Sequence, residues 1–296
     1  MNVYEIVTAE IIAKLEAGNC PWKKPWNTTA PKNLVSQKEY RGINTFLLSA
    51  SGFPSPYWLT YAQAVKLGGN VKKGEHGHIV VFWNVGTERT YFKKDGTEKT
   101  GKPFLLRYYR VFNLSQTEGI QSKLGIMDAD SKPVPSIGAC DTLLANMPNR
   151  PAIKASDRAW YRPSTDEIGI PDKSVFHSSE AFYATLFHEL THSTGHASRV
   201  GREGVEILNT FGSEAYSKEE LVAEMGSAML CGVTGIAPVI IENSAAYLRS
   251  WISVLKGDSK LIVTAASAAQ KACDYIRGPQ ADEVADVETQ QQAIAA

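Results

Sequence analysis

The sequence predicts an α+β protein: an N-terminal α+β region on an antiparallel sheet, then a mainly helical C-terminal region with a small sheet. Three observations lead there. Residues 78–114 hold β-rich runs around a hairpin signal, residues beyond 178 hold long helical periodicities, and a polar, proline-punctuated stretch separates the two. With 296 residues, 43% hydrophobic and 21% charged, the chain is long enough for about two domains and has no compositional extreme.

Taken in order, residues 3–17 place Ile6, Val7, Ile11, Ile12 and Leu15 near helical spacing, and Gly18 supplies a stop. Two prolines in Cys20-Pro21-Trp22-Lys23-Lys24-Pro25-Trp26 forbid a regular helix there. A helix is expected over 60–67, ended by Gly68-Gly69. Strands follow at 79–83, 90–92 and 104–114, with Asp95-Gly96 as the hairpin turn between β-rich runs. Residues 121–136 read as a linker. Short strands are expected at 160–162 and 167–170, then helices at about 179–195, 218–233, 243–256 and 264–277. The domains expected are therefore 1–120 and 137–278, with a frayed acidic tail over 279–296.

Charge divides along the same line. Residues 1–130 hold 17 Lys and Arg against 11 Asp and Glu, whereas residues 131–296 hold 14 against 20. The basic half is the one expected to meet an anion. The cysteines at 20, 140, 231 and 273 form no close pair, so neither a disulfide framework nor a cysteine metal knuckle is expected. No run approaches the ~18 apolar residues of a membrane span. The start of the chain lacks the pattern of a signal peptide, and a cytoplasmic protein with no membrane partner is expected.

The most informative segment is His188-Glu189-Leu190-Thr191-His192. On a helix, residues four apart share a face, so His188 and His192 can bind one cation. Glu189 beside them is placed to act as general base toward water. Ser179 is the expected N-cap, and Phe182, Leu186 and Leu190 give the helix an apolar face. The bland alternative is two surface histidines flanking a charge.

A catalytic zinc needs a third protein ligand. A metzincin would repeat His-Glu-x-x-His-x-x-Gly-x-x-His; Gly195 matches, but Ser198 stands where the third His is required. His196 and His177 read as capping or packing residues. A Glu from the following helix is the other solution, with Glu220 expected as ligand and Glu224, one turn on, as the carboxylate orienting a ligand His. Glu224 or Glu219 could take the ligand position instead, and Ser217-x-x-Glu220 also fits a capping box, in which Glu220 merely bonds backbone. The expected cofactor is one divalent ion, zinc by default and manganese as the alternative.

The N-terminal part interleaves rings and cations: Trp22, Lys23, Lys24 and Trp26, then Tyr40, Arg41 and Asn44, then Trp58, then Lys72 and Lys73. Such mixtures bind single-stranded nucleic acid, with bases stacked on rings and Lys or Arg along the phosphates. They equally fit the core of a small domain, where most tryptophans lie.

Two blocks of the chain resemble the ArdC-type antirestriction proteins of conjugative plasmids. The first holds Pro21-Trp22-x-x-Pro25-Trp26, Tyr40-Arg41-Gly42-Ile43-Asn44, Trp58-Leu59-Thr60-Tyr61-x-Gln63, Gly68-Gly69-x-Val71-x-Lys73-Gly74 and Val111-Phe112-Asn113-x-x-Gln116. The second runs from His188 to His196, through Phe211-Gly212-Ser213, to Glu219-Glu220-Leu221-Val222-Ala223-Glu224. The resemblance implies a domain that binds single-stranded DNA joined to a zincin-like metallopeptidase domain, together protecting incoming plasmid DNA from restriction during conjugation. It leaves any protein substrate unspecified. The rival expectations are a DNA-covering shield whose metal site is structural or vestigial, and a nuclease, which would usually show more clustered carboxylates.

Overall fold

The computed structural model describes residues 2–22, 30–85, 89–92, 97–101, 104–120, 137–202, 205, 214–236 and 245–278. It is an α+β structure. The expected linker 121–136, the expected tail 279–296 and the Asp95-Gly96 turn lie outside these residues. Among the described residues, no helix is long and apolar enough to cross a membrane.

Helix α1 (Val3–Glu16) begins at a capping box in which the Asn2 side chain accepts from the Glu5 N–H and the Glu5 carboxylate accepts from the Asn2 N–H. It ends where Gly18 takes a positive φ of 81°. Helix α2 (Ile43–Ser49) was not expected; its near-continuous apolar run has no readable period because it is buried on most sides. Helix α3 (Tyr61–Lys66) is capped by Thr60 and Gln63 in the same reciprocal manner as α1.

The main sheet has the order β1-β2-β7-β4, from β1 (Lys32–Asn33), β2 (Tyr57–Leu59), β4 (His78–Val85) and β7 (Phe104–Asn113). Its long pairs are antiparallel as expected, while β1 and β2 run parallel. Two further pairs are antiparallel: β3 (Asn70–Val71) with β8 (Thr117–Glu118), and β5 (Arg89–Phe92) with β6 (Glu98–Gly101).

The C-terminal part opens with α4 (Ile137–Asn146), also unexpected, and a small sheet. Its order is β10-β11-β9, from β9 (Ala152–Ala155), β10 (Trp160–Arg162) and β11 (Glu167–Ile170). Helices α5 (Ser179–Ser193), α6 (Glu214–Thr234), α7 (Ala245–Gly257) and α8 (Leu261–Arg277) follow. Helix α6 starts four residues before the expected 218, which puts Ser217 inside the helix and removes it from a capping position.

The halves share their largest interior, although two smaller buried clusters, around Leu59 and around Trp58, stay within the N-terminal half. Val7, Ile11 and Leu15 of α1 and Phe46 and Leu47 of α2 belong to one buried cluster with Ile262, Ala266 and Cys273 of α8. Polar contacts line the same junction. Arg41 pairs with Asp274, and the Gly42 N–H donates to Gln270 Oε1 at 2.9 Å.

Candidate metal centre

Helix α5 carries the two histidines. Ser178, one residue before the expected cap, accepts from the Ala181 N–H and starts the helix. Leu186, Phe187 and Leu190 bury one side of it. Helix α6 crosses close by, because a Cβ at Gly226 would lie 2.5 Å from the Thr191 side chain. The Ser227 hydroxyl donates to the Ala184 carbonyl at 2.7 Å across the same crossing. This contact sets the depth and phase at which α6 presents its glutamates to α5.

His188, His192 and Glu220 come together there, with one ligand atom of each within 4.8 Å of the others. The His188 and His192 Nε2 atoms are 3.1 Å apart, and each lies 3.5 Å from a Glu220 oxygen. Ligand atoms about 2.0–2.2 Å from a tetrahedral ion lie about 3.3–3.6 Å from one another, so this donor set fits one such ion. Burial works to raise the Glu220 pKa, but hydrogen bonds from His188 and His192 outweigh it and keep the carboxylate ionised. Burial likewise works to lower the His192 pKa, yet Glu219 and Glu220 carry it up to about 10. The field that attracts a proton to this point attracts a cation as well.

The residue that orients His192 is Glu219, not Glu224. Its Oε1 lies 3.2 Å from His192 Nδ1. A carboxylate only accepts, so Nδ1 keeps its proton, and once a cation displaces the proton on Nε2 that atom presents its lone pair to the cluster. Arg202 holds Glu219 through Nε to Oε2 at 3.0 Å and Nη2 to Oε1 at 2.5 Å. The same guanidinium donates to Thr194 Oγ1 and to the Thr191 carbonyl, which ties it to the end of α5. Sequence reading overlooked Arg202, which follows Gly201 in a non-helical stretch with no period to mark it.

Glu224 has other partners. Its carboxylate accepts from Trp22 Nε1 at 2.7 Å and from the Tyr247 hydroxyl, so it anchors the N-terminal segment against α6 and α7. Glu189 is 8% exposed. Burial raises its pKa above the usual carboxylate range, against the pull of His188 and His192, and the Tyr161 backbone N–H donates to it. His196 bonds its neighbour Ser198 at 2.8 Å, and His177 is exposed on the segment before α5. Gly195 matches the metzincin glycine for a packing reason: a Cβ there would lie 2.3 Å from Val205.

The expected DNA contacts need correction. Trp22, Tyr40, Asn44 and Trp58 are buried, which withdraws their rings and amide from any strand outside. The Asn44 side chain instead bonds the Val81 backbone in both directions, at 2.8 and 2.7 Å, as a neighbouring strand would. Arg41 is partly exposed but paired with Asp274. Lys72 and Lys73 are exposed, with the Lys72 ammonium donating to the Ser115 carbonyl at 2.8 Å. Lys23, Lys24 and Trp26 lie outside the described residues.

The family model of the N-terminal domain of anti-restriction factor ArdC matches residues 1–112, and that of a zincin-like metallopeptidase matches residues 139–268. The metal-free crystal structure of the antirestriction ArdC protein from the R388 plasmid is similar, with a TM-score of 0.72 and 38% identity over 94% of this chain and 97% of that one. Its Mn(II)-bound structure matches with the same TM-score of 0.72 at 36% identity, covering 94% of this chain and 97% of that one. The protein y4eC of Sinorhizobium fredii (strain NBRC 101917 / NGR234) is 33% identical over 95% of this chain and 93% of its own length. The DNA primase TraC of Escherichia coli is 36% identical over 97% of this chain, which spans only 28% of TraC.

Proposed function

The chain belongs to the ArdC family of antirestriction proteins, and we propose that it protects incoming plasmid DNA during conjugation by holding single-stranded DNA and cleaving a protein met there. The observation that carries the peptidase part is the convergence of His188, His192 and Glu220 within 4.8 Å, with Glu189 beside them. These three residues would hold one divalent ion, zinc by donor chemistry or manganese as in the R388 relative's structure. When bound, the ion supplies Lewis acidity that acidifies water and polarises a carbonyl.

The chain's own residues supply the rest. Glu189 takes the proton of the attacking water and passes it to the departing amine. Its burial raises its pKa, which suits a carboxylate that must accept and release a proton near neutrality. Glu219, gripped by Arg202, keeps His192 in the tautomer that offers Nε2. The similarity to a DNA primase and the basic N-terminal half support a role on DNA.

Glu189→Ala tests the chemistry. The variant is expected to retain metal, measured by calorimetry, and to lose cleavage of an unfolded protein substrate such as casein supplied with single-stranded DNA. Unchanged cleavage overturns the assignment. The burial of Glu189 also favours a second reading, in which the metal is structural and DNA is protected by being covered. Plasmid transfer into a restricting recipient separates the two: equal protection by wild type and Glu189→Ala supports the shield.

A further inference from the structure

With four of the expected contact residues buried, a single strand needs another surface, and the β4–β7 ribbon offers one. In its register Trp83 faces Leu106, and Tyr108 faces Val81. Residues opposed across an antiparallel pair point to the same face, and so does Arg110, two residues beyond Tyr108. Trp83 and Tyr108 are diagonal neighbours, with side chains roughly 7–8 Å apart at the base. On this face Val81 is buried in the core with α1, and Leu106 packs against the same core. The residues opposite them, Tyr108 and Trp83, are 44% and 45% exposed. Two large rings exposed on one face are the informative exception on a protein surface.

Cations stand at both ends of these rings. Tyr4 of α1 meets Trp83 edge-on, with ring centroids 6.3 Å apart, and the Lys260 ammonium lies 5.8 Å over the Tyr4 ring. At the other end Arg110 is exposed and donates to the Gly77 carbonyl at 2.8 Å. Glu10 and Asp258 are acidic groups here, Asp258 accepting from the Lys260 N–H at 2.8 Å; burial pushes the Glu10 carboxyl pKa up, while Lys14 and Arg110 pull it down. Lys14, Arg110 and Lys260 outnumber these two carboxylates along the strip.

We propose that single-stranded DNA lies along Lys260, Tyr4, Trp83, Tyr108 and Arg110, with bases stacked on Trp83 and Tyr108 and phosphates on the flanking cations. Stacking accepts any base, so the surface binds with little sequence preference. This inference rests on the reading above that the chain binds single-stranded DNA, and its test separates the two.

Full-length protein is titrated with a fluorescein-labelled oligothymidylate of twenty nucleotides and with a duplex of the same length, across a salt series. Wild type is expected to prefer the single strand and to lose affinity steeply with salt. Trp83→Ala with Tyr108→Ala weakens binding at least about 30-fold, whereas Trp83→Phe, which keeps a stacking ring, stays within a few-fold of wild type. Arg110→Ala with Lys260→Ala makes the slope of log affinity against log salt shallower by about 1.4. Should the paired ring variant unfold, Tyr108→Ala alone reads a loss of about 5-fold or more. Wild-type affinity in the ring variants, with binding by wild type intact, overturns this surface and spares the functional reading. Absence of single-strand binding by wild type, or tighter binding of duplex, overturns both.

Discussion

At the scale of single residues, the proposed centre depends on a carboxylate outside the His188–His192–Glu220 cluster. Glu219 precedes Glu220, the proposed ligand, and the turn of the helix aims the two at different atoms of the histidine pair. Glu219→Gln should retain the fold and weaken Mn(II) or Zn(II) binding about 10–100-fold, because the Nδ1–H of His192 loses its charged acceptor. Chelator competition reads the change, and unaltered affinity would refute the role. The convergence of His188 and His192 was legible in the sequence because their spacing has one simple geometric meaning on a helix. Trp22, Tyr40, Asn44 and Trp58 were misread because a ring or an amide has the same identity whether it meets DNA or a neighbouring strand. Only burial distinguishes the two uses.

Between elements, the decisive contacts are the crossing of α5 and α6 and the three-way bond at Glu224. Trp22 Nε1 donates to Glu224 at 2.7 Å, and the Trp22 ring packs edge-on against Trp251 at 6.0 Å. Trp22→Phe keeps most of the ring and removes the donor, so it should destabilise the protein by about 1–3 kcal/mol. Equilibrium denaturation checks this; a change within about 0.5 kcal/mol would show that the bond contributes nothing, a spread typical of surface sites. Helix α1 was readable from periodicity and its Gly18 stop, and α5 from periodicity, its cap being Ser178 and not the expected Ser179. Helices α2 and α4 were not, being 7 and 10 residues long and too short to display a period.

Over the whole molecule, sequence reading expected two domains separated by a linker, and the largest buried cluster among the described residues draws on both halves, while two smaller ones stay within the N-terminal half. Helices α1 and α2 cover α8 with apolar side chains and with the Arg41–Asp274 and Gly42–Gln270 contacts. Calorimetry of the full chain should therefore show one cooperative unfolding transition. Two resolved transitions would mean that the shared interior contributes little to either half. The same packing brings Lys260, which lies just before α8, beside Tyr4 of α1 and so next to the exposed rings of the ribbon.

What could be known from residue order was local: the histidine helix, the glutamate beside its first histidine, the glutamate helix after it, the basic and acidic halves, and the α+β class. Each follows from spacing along one element, where geometry is set by the backbone itself. Which glutamate orients His192, where Arg202 and Trp22 attach, and which rings face solvent depend on how elements pack. Those contacts join residues as far apart as Trp22 and Glu224, and no local period records them.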